Sequence, residues 1–209
     1  MKRISFAVCL TAFSVVTSLP AAATDADGDG FGKLPSVKGG KASPLLIRIV
    51  KYQGNTNGAI TVDVRNPTNE PQEFSAKGVY FVPESNANEA PQRLGAVGPF
   101  LLHGAGKQER REQMTVAPGA TERLSLDVYC IDSHRASPSS ATSFRVAKDR
   151  VPPELTRAIN ADAEHAAKAY GGVSAAPAKA AVQSEVWKNR DKKWIQLDGE
   201  GRQESEKQR

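Results

Sequence analysis

Residues Thr121 to Cys130 read Thr-Glu-Arg-Leu-Ser-Leu-Asp-Val-Tyr-Cys, with Leu124, Leu126, Val128 and Cys130 at every second position. A period of two is the spacing of side chains on one face of a β-strand. A helix would scatter the same residues around its circumference, so this stretch constrains the chain to a sheet. The pattern recurs upstream. Ile60, Val62 and Val64 share one face of Ile60 to Asn66, and Leu46 to Tyr52, Gly78 to Pro83 and Gln113 to Val116 are also strand-like. Arg93 to Leu102 holds one or two short strands. The breaks are turn-formers: Gly54-Asn55-Thr56-Asn57-Gly58, Asn66-Pro67-Thr68-Asn69-Glu70-Pro71, and Ala117-Pro118-Gly119-Ala120 with proline second. Short alternating strands at regular spacing predict an Ig-like antiparallel β-sandwich. The Cys…Trp…Cys pattern of antibody domains is absent, so the likeness is architectural.

After Cys130 the period changes. Asp132 to Ser143 is a polar loop. Pro152-Pro153-Glu154 opens a helix, because proline suits the first turn and glutamate complements the helix dipole. Leu155, Ile159, Ala163, Ala166 and Tyr170 follow at helical spacing, and Gly171-Gly172 stops them. Ala178 to Asn189 predicts a second helix with Val182 and Val186 four apart. Trp194 to Leu197 reads as one short strand, and 198–209 as a charged tail. The class expected is mainly β with C-terminal helices (α+β), an Ig-like sandwich followed by two short helices within residues 44–197.

The N-terminus predicts an address. Lys2 and Arg3 precede an apolar run from Ile4 to Leu19, and Pro20-Ala21-Ala22-Ala23 supplies small residues for cleavage. Residues 1–23 therefore read as a signal peptide, which places the mature chain in a secreted, periplasmic or extracellular setting with no membrane span. Losing Lys2 and Arg3 takes the formal charge from +5 to +3, too little and too dispersed to expect nucleic acid as a partner. Residues 24–43 are polar and glycine-rich, read as a disordered lead-in. Within them Asp25, Asp27 and Asp29 alternate before Gly30, like the start of a calcium loop. The twelfth position is Ser36, though, where such a loop needs a bidentate glutamate, so a solvated acidic linker is the plainer reading.

Of the two cysteines, Cys9 leaves with the signal peptide. Cys130 then stands alone in an oxidising compartment, where no internal disulfide can form. Alternation turns it inward with Val128 and Leu126, which fits an inert buried thiol. It also ends a strand that runs into a polar loop carrying His134. A Cys130–His134 nucleophilic pair would need a depressed thiol pKa and an oxyanion hole, and no motif supplies either. Cys130, His103, His134 and His165 sit at no recognised metal-binding spacing. Neither an enzyme nor a resident cofactor or metal is expected.

A different partner lies on the second helix. In Val182-Gln183-Ser184-Glu185-Val186-Trp187, Gln183 and Trp187 are four apart and share a face. Trp187 can anchor the helix on the sheet and shield Gln183 from water. If that helix packs where the Cys130 strand ends, sulfur can attack the carboxamide carbon, expel ammonia and leave an internal thioester. Such a bond is an activated acyl group that an amine or hydroxyl opens to form a covalent link.

These two windows carry a resemblance. Tyr129-Cys130-Ile131-Asp132 is similar to the aromatic-Cys-hydrophobic-polar pattern of bacterial secreted thioester domains, and Val182 to Trp187 resembles their aliphatic-Gln-x-x-aliphatic-aromatic pattern. Glu185 stands where a small residue is frequent. The resemblance implies a cell-surface module that captures a host or neighbouring molecule covalently, an adhesion role with an unidentified surface or extracellular ligand. By carry-over Cys130 is the sulfur donor and Gln183 the acyl donor; Tyr129, Trp187 and His134 are the expected supporting residues around them. The alternative is a non-covalent secreted binding or structural β-sandwich with an inert buried cysteine.

Overall fold

A computed structural model describes residues 29–36, 40–54, 58–85, 90–96, 99–104, 107–170 and 176–192. Eleven strands precede two helices among them: β1 (Gly32–Lys33), β2 (Leu46–Gln53), β3 (Ala59–Arg65), β4 (Gln72–Ser75), β5 (Tyr80–Pro83), β6 (Leu94–Ala96), β7 (Phe100–Gly104), β8 (Lys107–Arg111), β9 (Gln113–Val116), β10 (Thr121–Cys130), β11 (Phe144–Val146), α1 (Pro153–Tyr170) and α2 (Ala176–Lys192). The protein is mainly antiparallel β with two C-terminal helices. The large sheet runs β1-β2-β3-β10-β6-β5-β11, with the β7–β8 hairpin joined to β10, while β4 and β9 form a separate two-stranded sheet.

The alternation that predicted β10 is realised residue by residue. Leu124, Leu126, Val128 and Cys130 point into one core with Ile60, Val62 and Val64 of β3 and Ile47 of β2. Phe74 of β4 and Met114 and Val116 of β9 enter the same core, so the small sheet covers the inner face of the large one. Each such aliphatic side chain, fully buried, contributes about 1.5–3 kcal/mol of transfer free energy. The turn before β10 has the expected chemistry. The Ala120 N–H donates to the Ala117 carbonyl at 3.1 Å, and Gly119 takes φ 69°, the left-handed position that glycine adopts without strain. Asn66 ties its own turn down, accepting from the Thr68 N–H at 3.0 Å and donating to the Val116 carbonyl at 3.0 Å.

The outer face of the sheet divides in two. Its first part is open, and there Arg48, Asp63 and Arg123 stand opposite one another across β2, β3 and β10. Its second part is covered by α1 and α2. Tyr129 and Ile131 pack there with Tyr80 and Val82 of β5, Leu155 and Ile159 of α1, and Val182 and Val186 of α2. Covering turns alternation into continuous burial. β5 is buried at all four positions and β10 at its last three, as expected of a strand packed on both faces.

Two expectations need correction. The lead-in is not wholly without structure, since β1 pairs with β2 and Phe31 and Leu34 are buried. Phe31 offers a ring to two guanidiniums, with Arg65 at 4.2 Å and Arg48 at 4.5 Å from its centroid, a cation–π contact that the residue's polar neighbours hid. Three strands were also missed: β4, β8 and β11. The expected strand at Trp194 to Leu197 lies outside the described residues, as does the expected signal peptide over residues 1–23.

Candidate functional site

β10 changes partners along its length. Thr121 to Asp127 pair with β3. Beyond that, the Val128 N–H donates to the Gly58 carbonyl at 3.1 Å, where the β2–β3 hairpin turns away. Val128 to Cys130 pair with β6 on the opposite side. Cys130 therefore presents its N–H and C=O to a gap that β3 has vacated. Those groups are buried, so they need partners.

α2 supplies them with a side chain. The Cys130 N–H donates to Gln183 Oε1 at 2.9 Å, and Gln183 Nε2 donates to the Cys130 carbonyl at 2.8 Å. The carboxamide thus imitates a neighbouring peptide group, and its orientation is fixed because a flipped amide would set donor against donor. Helical spacing explains why this residue arrives there. Val182, Gln183, Val186 and Arg190 are buried among the described side chains of α2, with Trp187 half-buried beside them. Val182 and Val186 join the outer core, whereas Trp187 packs on the inner core that contains Cys130. α2 straddles the edge of β10, with Gln183 in the plane of the sheet.

The surroundings are polar and dry. Cys130 is 0% and Gln183 3% exposed. Of the seven buried polar or charged side chains among the described residues, five are Gln92, Arg93, Asp132, Gln183 and Arg190. They mark this end of the molecule as the place where something other than packing is specified. Asp132, two residues past the cysteine, accepts from the Arg93 N–H at 3.1 Å and from Arg93 Nε at 2.8 Å, with a further bond from Nη2. Ile131 donates to the Arg93 carbonyl at 2.9 Å, and Gln92 donates through its N–H to the Ala136 carbonyl at 2.9 Å. Residues 92–93 and 131–136 are therefore knitted into one platform. α2 is fastened to it where Trp187 Nε1 donates to Gln92 Oε1 at 3.1 Å.

Electrostatics follow from this burial. Burial pushes the Cys130 thiol up to about 12, and the Asp132 carboxylate adds to the effect. The thiol is neutral at ordinary pH, the reverse of a pre-activated nucleophile. For Asp132 burial acts to raise the pKa, but the hydrogen bonds and charge of Arg93 and the charge of Arg190 hold it below the usual carboxylate range. Tyr52, in the same core as Cys130, is raised chiefly by burial and then by the cysteine itself.

The remaining expected residues fall as follows. Tyr129 is buried on the opposite face from Cys130, against the helices, and its hydroxyl has no hydrogen-bond partner among the described residues. His134 is exposed in the loop beyond the Arg93–Asp132 pair, as are His103 on β7 and His165 on α1. A buried cysteine with a raised pKa and an exposed histidine do not make an activated Cys–His pair. Among the described residues no group of three or more His, Cys, Asp or Glu side chains is placed to hold a metal ion. Asp29 accepts from Arg65 at 3.2 Å, while Asp25 and Asp27 lie outside the described residues. Glu185 pairs with Lys188 at the helix surface. Sequence reasoning missed Gln92, Arg93, Arg190 and Tyr52, since polar residues and a lone tyrosine carry no signal of burial in one sequence.

No family model, curated protein or solved structure matches this chain.

Proposed function

We propose that the protein is a secreted or cell-surface module in which Cys130 and Gln183 form an internal thioester for covalent attachment to a surface or extracellular ligand. One observation carries the reading: the Gln183 carboxamide is held by both backbone polar groups of Cys130, 53 positions away in sequence, inside a buried site. The chemistry balances without a cofactor. Cys130 Sγ attacks Gln183 Cδ, the C–S bond forms, the C–Nε2 bond breaks, and the thiol proton leaves with the nitrogen as ammonia. Charge that develops on Oε1 in the tetrahedral intermediate faces the Cys130 N–H at 2.9 Å, within the range of an oxyanion-hole donor. A nucleophilic amine on a ligand then attacks the same carbon, the C–S bond breaks, the thiol recovers a proton and an amide remains. The scaffold we assign is an Ig-like sandwich, with the β4–β9 sheet as its second layer and α2 delivering the glutamine.

Peptide mapping after exposure of the native protein to methylamine tests the reading. A methylamide at Gln183, together with a newly alkylatable Cys130, is the expected result. An unmodified Gln183 peptide and a thiol that alkylates equally without amine would overturn it.

A second reading has its own support. The two hydrogen bonds already satisfy Cys130 and Gln183, and burial keeps the thiol neutral. In that case Gln183 is a structural staple that completes the edge of β10, and the protein is a non-covalent binding module.

A further inference from the structure

Polar contacts along α2 join it to the strand layers. Lys179 reaches Asp127 at 3.2 Å near the start of the helix, Gln183 clasps Cys130, and Trp187 donates to Gln92 at 3.1 Å one turn further on. Thioester formation changes this set. Ammonia carries away Nε2, so the hydrogen bond from Gln183 to the Cys130 carbonyl is lost with it. The Trp187–Gln92 hydrogen bond, four residues along α2 from Gln183, is untouched by that loss.

Trp187 is half-buried on the inward face of α2, in the same turns as Gln183 and Val186, which are almost wholly shielded. Gln183 is shielded in this arrangement, and Trp187, one turn further along the same helix face, reaches partly to solvent. Displacing the indole meets a built-in resistance. Gln92 is 2% exposed, so rotating the indole away strands a buried carbonyl oxygen without its donor. The Gln92 backbone is held in place, since its N–H is bound to Ala136 and its neighbour Arg93 is locked on Asp132.

We infer that Gln92 and Trp187 form a latch that controls access of nucleophiles to the Cys130–Gln183 acyl bond, an inference that rests on the thioester reading. Gln92 is the fixed half and the Trp187 indole the moving half. The bond is protected while the latch is closed, and a ligand that displaces the indole on docking gains access. The latch slows, without blocking, attack by free water and small amines such as methylamine, which approach without a surface to move Trp187.

Methylamine opening of the bond-bearing protein, followed by intact mass against time, tests this. Trp187→Phe keeps most of the ring and removes the donor; Gln92→Met keeps the length and removes the acceptor. Each is expected to open roughly tenfold faster than the native chain, the factor set by one buried hydrogen bond. The double variant is expected to open no faster than either single one, because both remove the same bond. General loosening of the fold would instead make the effects multiply. Native protein that lacks ammonia, with variants opening at the native rate or multiplying in the double variant, would overturn the latch alone. Native protein with its full complement of ammonia would overturn the thioester and the latch together.

Discussion

The two ends of β10 solve the same problem by different means. From Thr121 to Asp127 the strand is completed by the backbone of β3 and inward leucines fill its core, while Asp63 on the open outer face gathers Arg48 at 2.7 Å and Arg123 at 2.7 Å. At Cys130 the neighbouring strand is gone, a side-chain amide takes its place, and the adjacent carboxylate–arginine pair is sealed from water. The contrast in the ion pairs is instructive. Arg123 is 53% exposed at its side chain, whereas Arg93 is 4%. Asp63 is itself buried at 3%, but its arginine partners reach solvent and are screened, while a pair buried on both sides is sensitive to the loss of one member. The first end should tolerate change, and the second should not.

Substitutions at the two ends should separate accordingly. The largest effect is expected from Asp132→Ala, which leaves the Arg93 guanidinium buried without its carboxylate and should cost about 3–5 kcal/mol in urea unfolding. A cost below about 1 kcal/mol would show that the pair is not sealed, and the comparison would fail. Gln183→Leu comes next. It fills the space but strands the Cys130 N–H and C=O, a loss of about 2–4 kcal/mol from two buried unsatisfied groups. Acid should act at both ends. Asp63 is held below the usual carboxylate range first by its hydrogen bond to Arg123, then by Arg48, against burial, and Asp132 is held low by Arg93 against its burial. A folded-state pKa below the unfolded value of about 3.9 contributes stability that is present above that value. It is lost as pH falls through the folded-state value, so the urea midpoint should hold steady from neutral pH and drop in acid. The drop should be shallower in Asp132→Asn than in the native chain. Arg123→Ala is expected to do least, shifting the neutral-pH midpoint marginally because Arg48 still meets Asp63; a shift as large as that of Asp132→Ala would erase the distinction between the two ends.

Much of this was legible in the sequence, for definite reasons. β10 was read to its boundaries because four apolar residues alternate and a proline–glycine turn precedes them. α2 was legible from Val182 and Val186, and Gln183 from its place between them. β8 was not, because Lys-Gln-Glu-Arg-Arg has no apolar face and exists as the charged outer partner of β7, a common way to blunt a sheet edge. β4 carries a single apolar residue, Phe74, and β11 is three residues long, so neither shows a period. At the site, the cysteine and glutamine announced themselves by residue type and spacing. Gln92, Arg93 and Arg190 read as surface residues, and only the tertiary placement of α2 and the 131–136 loop buries them. Asp132 came closest to a signal, as the single charge that ends the apolar run Val128 to Ile131.

The most direct test of the central claim is the intact mass of the mature native protein, before and after methylamine. The account predicts a chain lighter than its sequence by one ammonia, which then gains one methylamine and one free thiol at Cys130. A chain at its full sequence mass, unchanged by the amine, would contradict it and leave Gln183 as the structural substitute for a missing strand.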